Sequence, residues 1–531
     1  MKLIFKIQTV FILIFIFSCA QNNSLTKRKS IPILDDEVWW GGAVVDGRKM
    51  PFGRNEFALN QNGNVGTNQS QPLFLSSKGR YFWCDSPLEV NISTNTILVE
   101  SNEAEIIFGE QGKSLKEAFH EASVNHFPPS GKIPDPLLFT SPQYNTWIEL
   151  QYNQNEEDIL KYAESIVENG FPTGVLMIDD NWQTDYGTWE FSSDRFSNPK
   201  GMIDQLHDMG FKVMVWVCPF ISADSPVYRK LASQKLLMFA DAQKSNPAIV
   251  KWWNGQSALI DLSNPEGSRW YKDQLKNLVD NYGVDGFKLD AGDAHFYSGL
   301  YGFQDVGPNV HCELHAKIGL DFPLNEYRAC WKMAGQPLVQ RLRDKQHNWE
   351  DLRALIPDML ALGLIGHPYG CPDLIGGGEI SSFNDKTILD EELIVRAAQV
   401  HTLMPMMQFS VAPWRVLNES NQAICKQMAG LHYNMGSEII ALATESAKTG
   451  EPIVRHMEYE FPGNGYQDIK DQFMLGEDIM VAPVVEKGVR SRMIIFPEGK
   501  WQGDDGSIVI GPTSEEITVP LERLPWYRLV K

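Results

Sequence analysis

The stretch GVDGFKLDAGD, residues 283–293, brings Lys288, Asp290 and Asp293 together where an apolar segment ends. On a strand alternate residues share a face, so Phe287 and Leu289 point one way while Lys288 and Asp290 point the other. GVLMIDDNWQ ends similarly in Asp179 and Asp180, and FKVMVWVCPF carries Trp216 near its end. One Asp closing a strand commonly serves as a cap or turn residue. Acids, a lysine and an indole at three strand ends mark a site instead, since a cap has no use for a Lys two residues before it. Paired carboxylates without an evident metal set suit retaining glycoside hydrolysis. One attacks an anomeric carbon while another protonates the leaving oxygen, the two standing ~5–5.5 Å apart. A neighbouring cation keeps the attacking group ionised, the role expected of Lys288.

The elements around these residues alternate. The strand-like TWIEL precedes a helical EEDILKYAESIVENG, with Gly170 where a C-terminal cap falls. GVLMIDD, the helical PKGMIDQLHDMG, FKVMVWVCPF and the helical NPEGSRWYKDQLKNLVDNYG follow and lead into VDGFKLD. Apolar strands alternating with capped amphipathic helices predict a parallel sheet. Their number, with room for more, predicts a (β/α)8 TIM barrel, whose sites form at the C-terminal strand ends. A doubly wound open sheet is the other α/β arrangement, but no glycine-rich phosphate fingerprint follows the first strand. The expected organisation is a β-sandwich domain over 31–135, the barrel over 136–448, and a C-terminal β-sandwich domain over 449–531.

The chain has 531 residues, a formal charge of −20 and 15 Trp. That charge disfavours nucleic acid, whose phosphates require a cationic face, and is compatible with a neutral sugar. At the start, Lys2 and Lys6 precede an apolar run and IFSC, residues 16–19. This is the layout of an export signal. IFSC resembles a bacterial lipobox, which makes Cys19 the expected lipidation site, residues 1–19 the signal peptide and 20–30 a tether. The implied location is the bacterial envelope, periplasm or outer membrane, with membrane contact through the lipid alone. The other six cysteines show no zinc spacing and are read as buried free thiols.

Residues 142–500 resemble glycoside hydrolase family 31, the retaining α-glycosidases. The resemblance rests on GFKLDAGD, FSSDRFSNPKGMIDQLHDMGFKVMVWVCPFIS, NWEDLRALIPDMLALGLIGHPYGCPDLIGG and DQFMLGEDIMVAPVVEKGVRSRMIIFPEGKW, which follow the family's order. It implies that Asp290 is the nucleophile and that Asp344, in RLRDKQHNW, is the acid/base. The family places Trp and small residues before that Asp, whereas Arg341 and Arg343 stand here. It further implies sugar-binding roles for Asp179, Arg328 in EYRACWKMAGQ and Asp373 in CPDLIGG, with Trp216 as a pocket wall. Neither cofactor nor metal is implied. Asp344 must hold its proton to a higher pH than Asp290 for the two to divide their roles.

Two departures bear on the sugar. The family's glucosidases carry a His near the position of Ser410, and IDDNWQ resembles the DDGWQ-like stretch of α-galactosidases, where paired acids bind O4 and O6. The expectation is therefore a retaining exo-α-glycosidase leaning toward α-galactosides, with Asp180 beside Asp179 in the substrate site. An α-glucosidase, an α-xylosidase, a lyase and a degenerate carbohydrate-binding protein are the other readings. HCELH, residues 311–315, has His at i and i+4 but lacks the Glu adjoining the first His that a zinc protease needs. His367 is either a substrate contact or a packing residue. Trp39 and Trp40 are either at the pocket rim or buried in the sandwich.

Overall fold

The computed structural model describes residues 27–63, 68–383 and 389–530, so Cys19 and the signal-like stretch lie outside the described residues. Eight parallel strands form the central sheet: β1 Gln143–Asn145, β2 Val175–Ile178, β3 Lys212–Val217, β4 Gly286–Leu289, β5 Asn325–Tyr327, β6 Gln340–Arg341, β7 Gly370–Cys371 and β8 Gln408–Phe409. They run in sequence order, except that β8 pairs with β1. A parallel bridge between Ile375 and Phe409 joins the β7 side to β8, so the sheet closes into the expected barrel.

Caps and apolar spacing explain the crossover helices. Glu156–Glu168 starts at Asn155, whose side chain accepts from Asp158 N–H, and three acids in its first turn suit the positive end of the helix dipole. Ile159, Tyr162, Ala163 and Ile166 form its buried stripe. Pro265–Tyr282 begins on an Asn264 cap and stops at Gly283, which takes the left-handed conformation with φ 85°. The segment TWIEL departs from its strand expectation. Asn145 accepts from Trp147 N–H at 2.8 Å and turns the chain, and Trp147–Leu150 is one helical turn after the true first strand.

Two excursions wall the C-terminal face. A hairpin of Gln183–Asp185 and Thr188–Phe191 follows β2. After β3 comes a three-stranded antiparallel sheet of Phe220–Ser222, Gly255–Leu259 and Val250–Trp252.

The N-terminal region holds two sheets, as expected of a sandwich, and also an unpredicted helix, Leu115–His126, capped by Ser114. Its strand Gln69–Ser76 pairs in parallel with Cys330–Trp331 in the β5–β6 connection. From there Gln69 donates to the backbone carbonyls of Arg328 (3.0 Å) and Arg341 (2.8 Å). This domain therefore fixes two arginines of the site from behind. Trp39 and Trp40 are buried in it, which gives them the packing role. The C-terminal region forms one six-stranded antiparallel sheet where two were expected. Its longest strand, Ser491–Gly503, shifts register between Phe496 and Gly499 and pairs with strands on both sides.

Candidate active site

A pocket of about 230 Å³ opens at the C-terminal ends of the barrel strands. It is lined by Asp179 and Asp180 after β2, Trp216 in β3, Lys288 and Asp290 at β4, Arg328 after β5, and Arg341 and Asp344 at β6. Its floor is buried, with Asp179 at 2% exposure and Asp290 at 8%, while Tyr152 at 40% and Trp253 at 43% stand at the rim. Its volume lies below the ~300–1,000 Å³ of pockets for drug-sized ligands and matches one sugar ring better than a chain. A larger cleft, about 580 Å³, lies elsewhere, against the C-terminal sheet; its Asp504 and Arg523 are paired with each other.

Asp290 is held from several sides. Trp216 Nε1 donates to Oδ2 at 2.8 Å, and Ala291 N–H donates to Oδ1 at 2.8 Å. The second bond is reached through a strained turn, with Ala291 at φ 54°. Arg328 Nε lies 3.6 Å from Asp290 Oδ1 and equally far from Asp293 Oδ2. Asp293 thus backs the guanidinium that faces Asp290. Burial raises the Asp290 carboxyl, but Arg328, then Lys288 and Arg341, with the Trp216 N–H, bring it below the usual range. Asp293, with burial opposed mainly by Arg328, is raised.

Lys288 is one of the cations that lower Asp290, as expected of it, though not the one with the largest effect. Its Nζ donates to Asp179 Oδ2 at 2.6 Å, so its direct partner is Asp179, and Arg328 supplies the larger field at Asp290. Burial opposes the Lys288 charge, while Asp179, Asp290 and Glu326 help to hold its pKa above the ordinary value. Asp180 accepts from Asn254 Nδ2 at 2.6 Å and from Tyr186 O–H at 3.3 Å. Burial and adjacent Asp179 push it up to about 7.

Arg341 organises the opposite wall. Its Nη1 donates to Asp344 Oδ1 at 2.6 Å and to Asp373 Oδ1 at 2.7 Å, while its Nε is 3.4 Å from Glu326 Oε1. Asp373 also accepts from Lys345 N–H at 2.7 Å, is fully buried and does not line the pocket. Asp373, for which the resemblance implies sugar binding, here holds Arg341 and the Asp344 loop. Gly378 covers it. A Cβ there would lie 2.9 Å from Asp373 Oδ1 and 3.2 Å from Asp344 Oδ1, so only glycine passes over both acids without displacing them. Burial raises Asp344, but Arg341, then Arg328 and Lys288, bring it below the usual range; burial and Asp344 raise Asp373 to about 7. The protein alone therefore does not give Asp344 the raised carboxyl expected of an acid.

Of the remaining candidates, His367 is buried outside the pocket lining, and burial lowers it to about 3, which makes it a neutral packing residue. His311 stacks on Tyr297 at 5.0 Å, and His315 meets Tyr327 edge-on. No cluster with the makings of a metal site occurs among the described residues. The sequence reading passed over Tyr152, Trp253 and Asn254, and treated Arg341 only as a departure. WWNG, residues 252–255, carried a usable signal, because Asn-Gly after an apolar run marks a hairpin.

Residues 143–436 match the glycosyl hydrolases family 31 TIM-barrel domain, and residues 450–528 the glycosyl hydrolase family 31 C-terminal domain. The chain is 31% identical over 397 residues to the myogenesis-regulating glycosidase of Mus musculus, covering 72% of this chain and 55% of that protein. It is 25% identical to α-glucosidase 2 of Bacillus thermoamyloliquefaciens over 70% of this chain and 50% of that one. The chain thus spans about half the length of these relatives. A Flavobacterium johnsoniae GH31 dextranase complexed with glucose shares the fold, with a TM-score of 0.84 at 21% identity over 95% of this chain and 66% of that chain. With the barrel match alone spanning more than half of the sequence, the chain belongs to glycosyl hydrolase family 31.

Proposed function

We propose that the protein is a retaining exo-α-glycosidase. The observation that carries this reading is one ring-sized pocket holding two carboxylates on separate supports, Asp290 on Arg328 and Trp216, and Asp344 on Arg341. Asp290 attacks the anomeric carbon of a terminal α-linked sugar. The bond to the leaving oxygen breaks as that oxygen takes a proton from Asp344, leaving a β-glycosyl ester on Asp290. Water then attacks the same carbon and gives its proton to Asp344, and the sugar departs with its configuration retained. A protein that only bound sugars would have no use for a carboxylate held ionised by three cations. Residues 1–19 support export and lipid anchoring through Cys19.

The proton that Asp344 needs comes with the ligand. Its side chain is 33% exposed, so a bound sugar strips water from it, and loss of water raises a carboxyl. The productive form has Asp290 ionised and Asp344 protonated, so activity falls as pH rises through the Asp344 value. The expected outcome is a basic limb at higher pH in kcat, which reports the complex, than in kcat/KM, which reports the free enzyme. Full pH profiles on one substrate check this; coincident basic limbs contradict it.

For the sugar, the neighbouring acids Asp179 and Asp180 support an α-galactoside, because axial O4 lies on the same side of the ring as O6 and an adjacent acceptor pair reaches both. The names of the relatives favour α-glucosides or α-xylosides equally well. Turnover of nitrophenyl α-galactoside, α-glucoside and α-xyloside, side by side, tests the reading. Galactoside preference is expected, and Asp180→Asn is expected to lower galactoside kcat/KM about 10- to 100-fold, the loss of a charged hydrogen bond. Glucoside preference keeps the mechanism and ends the galactose assignment. No turnover of any of the three counts against the glycosidase itself.

A further inference from the structure

Asn254 sits at the two-residue tip of the hairpin formed by Val250–Trp252 and Gly255–Leu259, in the excursion after β3. Its neighbour-but-one Trp252 is buried and stacks on Phe220 at 4.2 Å, which anchors the hairpin to the barrel. From there Asn254 Nδ2 donates to Asp180 Oδ2 at 2.6 Å and to Tyr186 Oη at 2.8 Å, while its Oδ1 accepts from Tyr152 O–H at 2.9 Å. One amide thus joins the segments that follow β1, β2 and β3. Asp180 lines the pocket, whereas Asn254 and Tyr186 stand behind it.

The amide is held one way round. Burial, with the fields of Asp180 and Asp179, raises the Tyr152 phenol to about 12, and burial with Asp180 raises Tyr186 as well. Both hydroxyls therefore keep their protons at physiological pH. An inverted amide would set its oxygen against the Asp180 carboxyl and lose the bond from Tyr152. The two acids that end β2 are consequently held in different ways. Asp179 Oδ2 takes the Lys288 ammonium at 2.6 Å. Asp180 Oδ2 takes two neutral donors, Asn254 at 2.6 Å and Tyr186 at 3.3 Å, and Gln183 Nε2 stands 3.5 Å from Oδ1. By its side-chain bonds Oδ1 is the less engaged oxygen. A neutral clamp of this kind fixes the direction of a carboxyl without adding a charge of its own.

We propose that Asn254 is a positioning residue for sugar selection: it clamps Asp180 by one oxygen and leaves the other for a hydroxyl of the bound sugar. The preference of the pocket between sugars that differ at that hydroxyl then depends on a side chain that does not line it. The assignment rests on the reading of Asp180 as a sugar-binding acid. Without the Asn254 amide, Tyr186 is the remaining donor to Oδ2, and the carboxyl turns away from the alignment that a hydrogen bond to the sugar requires.

The test is a double-mutant cycle read as the ratio of kcat/KM on nitrophenyl α-galactoside to that on nitrophenyl α-glucoside. Asn254→Ala is expected to move the ratio about tenfold toward one, whichever sugar the wild type prefers, the scale of a lost hydrogen bond to a charged group. In an Asp180→Ala background the same change is expected to leave the ratio where Asp180→Ala alone put it, because the two residues act as one unit. Tyr186→Phe, which removes a single hydroxyl, is expected to move the ratio in the same direction by a smaller factor, and it decides the matter should Asn254→Ala not fold. Equal losses on both sugars overturn the proposal, because the hairpin would then serve only to hold the site together. The full Asn254→Ala effect persisting without Asp180 overturns it as well. An Asp180→Ala protein with the wild-type ratio removes the reading of Asp180 and the clamp with it, an outcome distinct from additive losses, which end the clamp alone.

Discussion

Asp290→Asn is expected to lower kcat/KM on the order of 10⁴- to 10⁶-fold, as removal of a covalent nucleophile does in other enzymes, while leaving a folded protein. The amide is neutral and nearly the same shape, so it forms no stable glycosyl ester. Its carbonyl oxygen still accepts one of the bonds now made by Trp216 Nε1 and Ala291 N–H. Arg328 does not lose its only acid, because Asp293 stands 3.6 Å from Nε on its other side. Initial rates on a nitrophenyl glycoside give the size of the loss. Intact-mass analysis with a fluorinated sugar that traps the intermediate gives its cause. The wild type is expected to gain the mass of one sugar, and the variant none. Labelling of Asp290→Asn, or undiminished turnover by it, assigns the nucleophile to another residue.

The residues of this first prediction were the easiest to read in the sequence, for a physical reason. Apart from Lys212 at the start of β3, β2, β3 and β4 are buried, and they are written as largely apolar stretches of four to six residues followed by polar groups, so strand, direction and site appear together in VLMI, KVMVWV and GFKL. The second half of the barrel hides because its strands are short and polar inside. β6 is Gln340–Arg341 and β8 is Gln408–Phe409. Their inward side chains serve a buried network in which Gln408 Nε2 donates to Glu326 Oε2 at 2.7 Å and Arg341 reaches Glu326, Asp344 and Asp373. Such a network has no apolar period to detect. It also explains why the partners of Lys288 and Asp373 were harder to read. Type and spacing identified Lys288 as a cation at the site, but which acid it pairs with depends on how far β2 stands from β4 in space. Asp373 sits in a clean motif, yet the depth at which it lies under Gly378 is a property of the folded loop. The helix Leu115–His126 could have been read, since Ser114 and Glu117 begin it with a capping-box pattern.

Asp344→Ala is expected to slow turnover in proportion to how much its leaving group needs a proton. On a disaccharide the first step loses general acid catalysis, a fall of about 10²- to 10⁴-fold in kcat/KM. On a dinitrophenyl glycoside or a glycosyl fluoride, whose leaving groups depart unprotonated, the loss is expected to be far smaller. The second step then lacks a base to activate water, so the glycosyl ester on Asp290 accumulates. Sodium azide needs no base. It enters the space vacated beside Arg341, and the expected products are an α-glycosyl azide and a restored rate on the activated substrate. Arg341 tolerates the change because Nη1 keeps its 2.7 Å bond to Asp373 and Nε keeps Glu326 at 3.4 Å. The result also decides between the two acids that share Arg341. Were Asp373 the proton donor, Asp344→Ala would affect good and poor leaving groups alike, and azide would restore nothing. Asp373 is fully buried and occupied by Arg341 and Lys345 N–H, so Asp373→Asn is expected to act through the position of Arg341, without the leaving-group dependence that marks the loss of an acid.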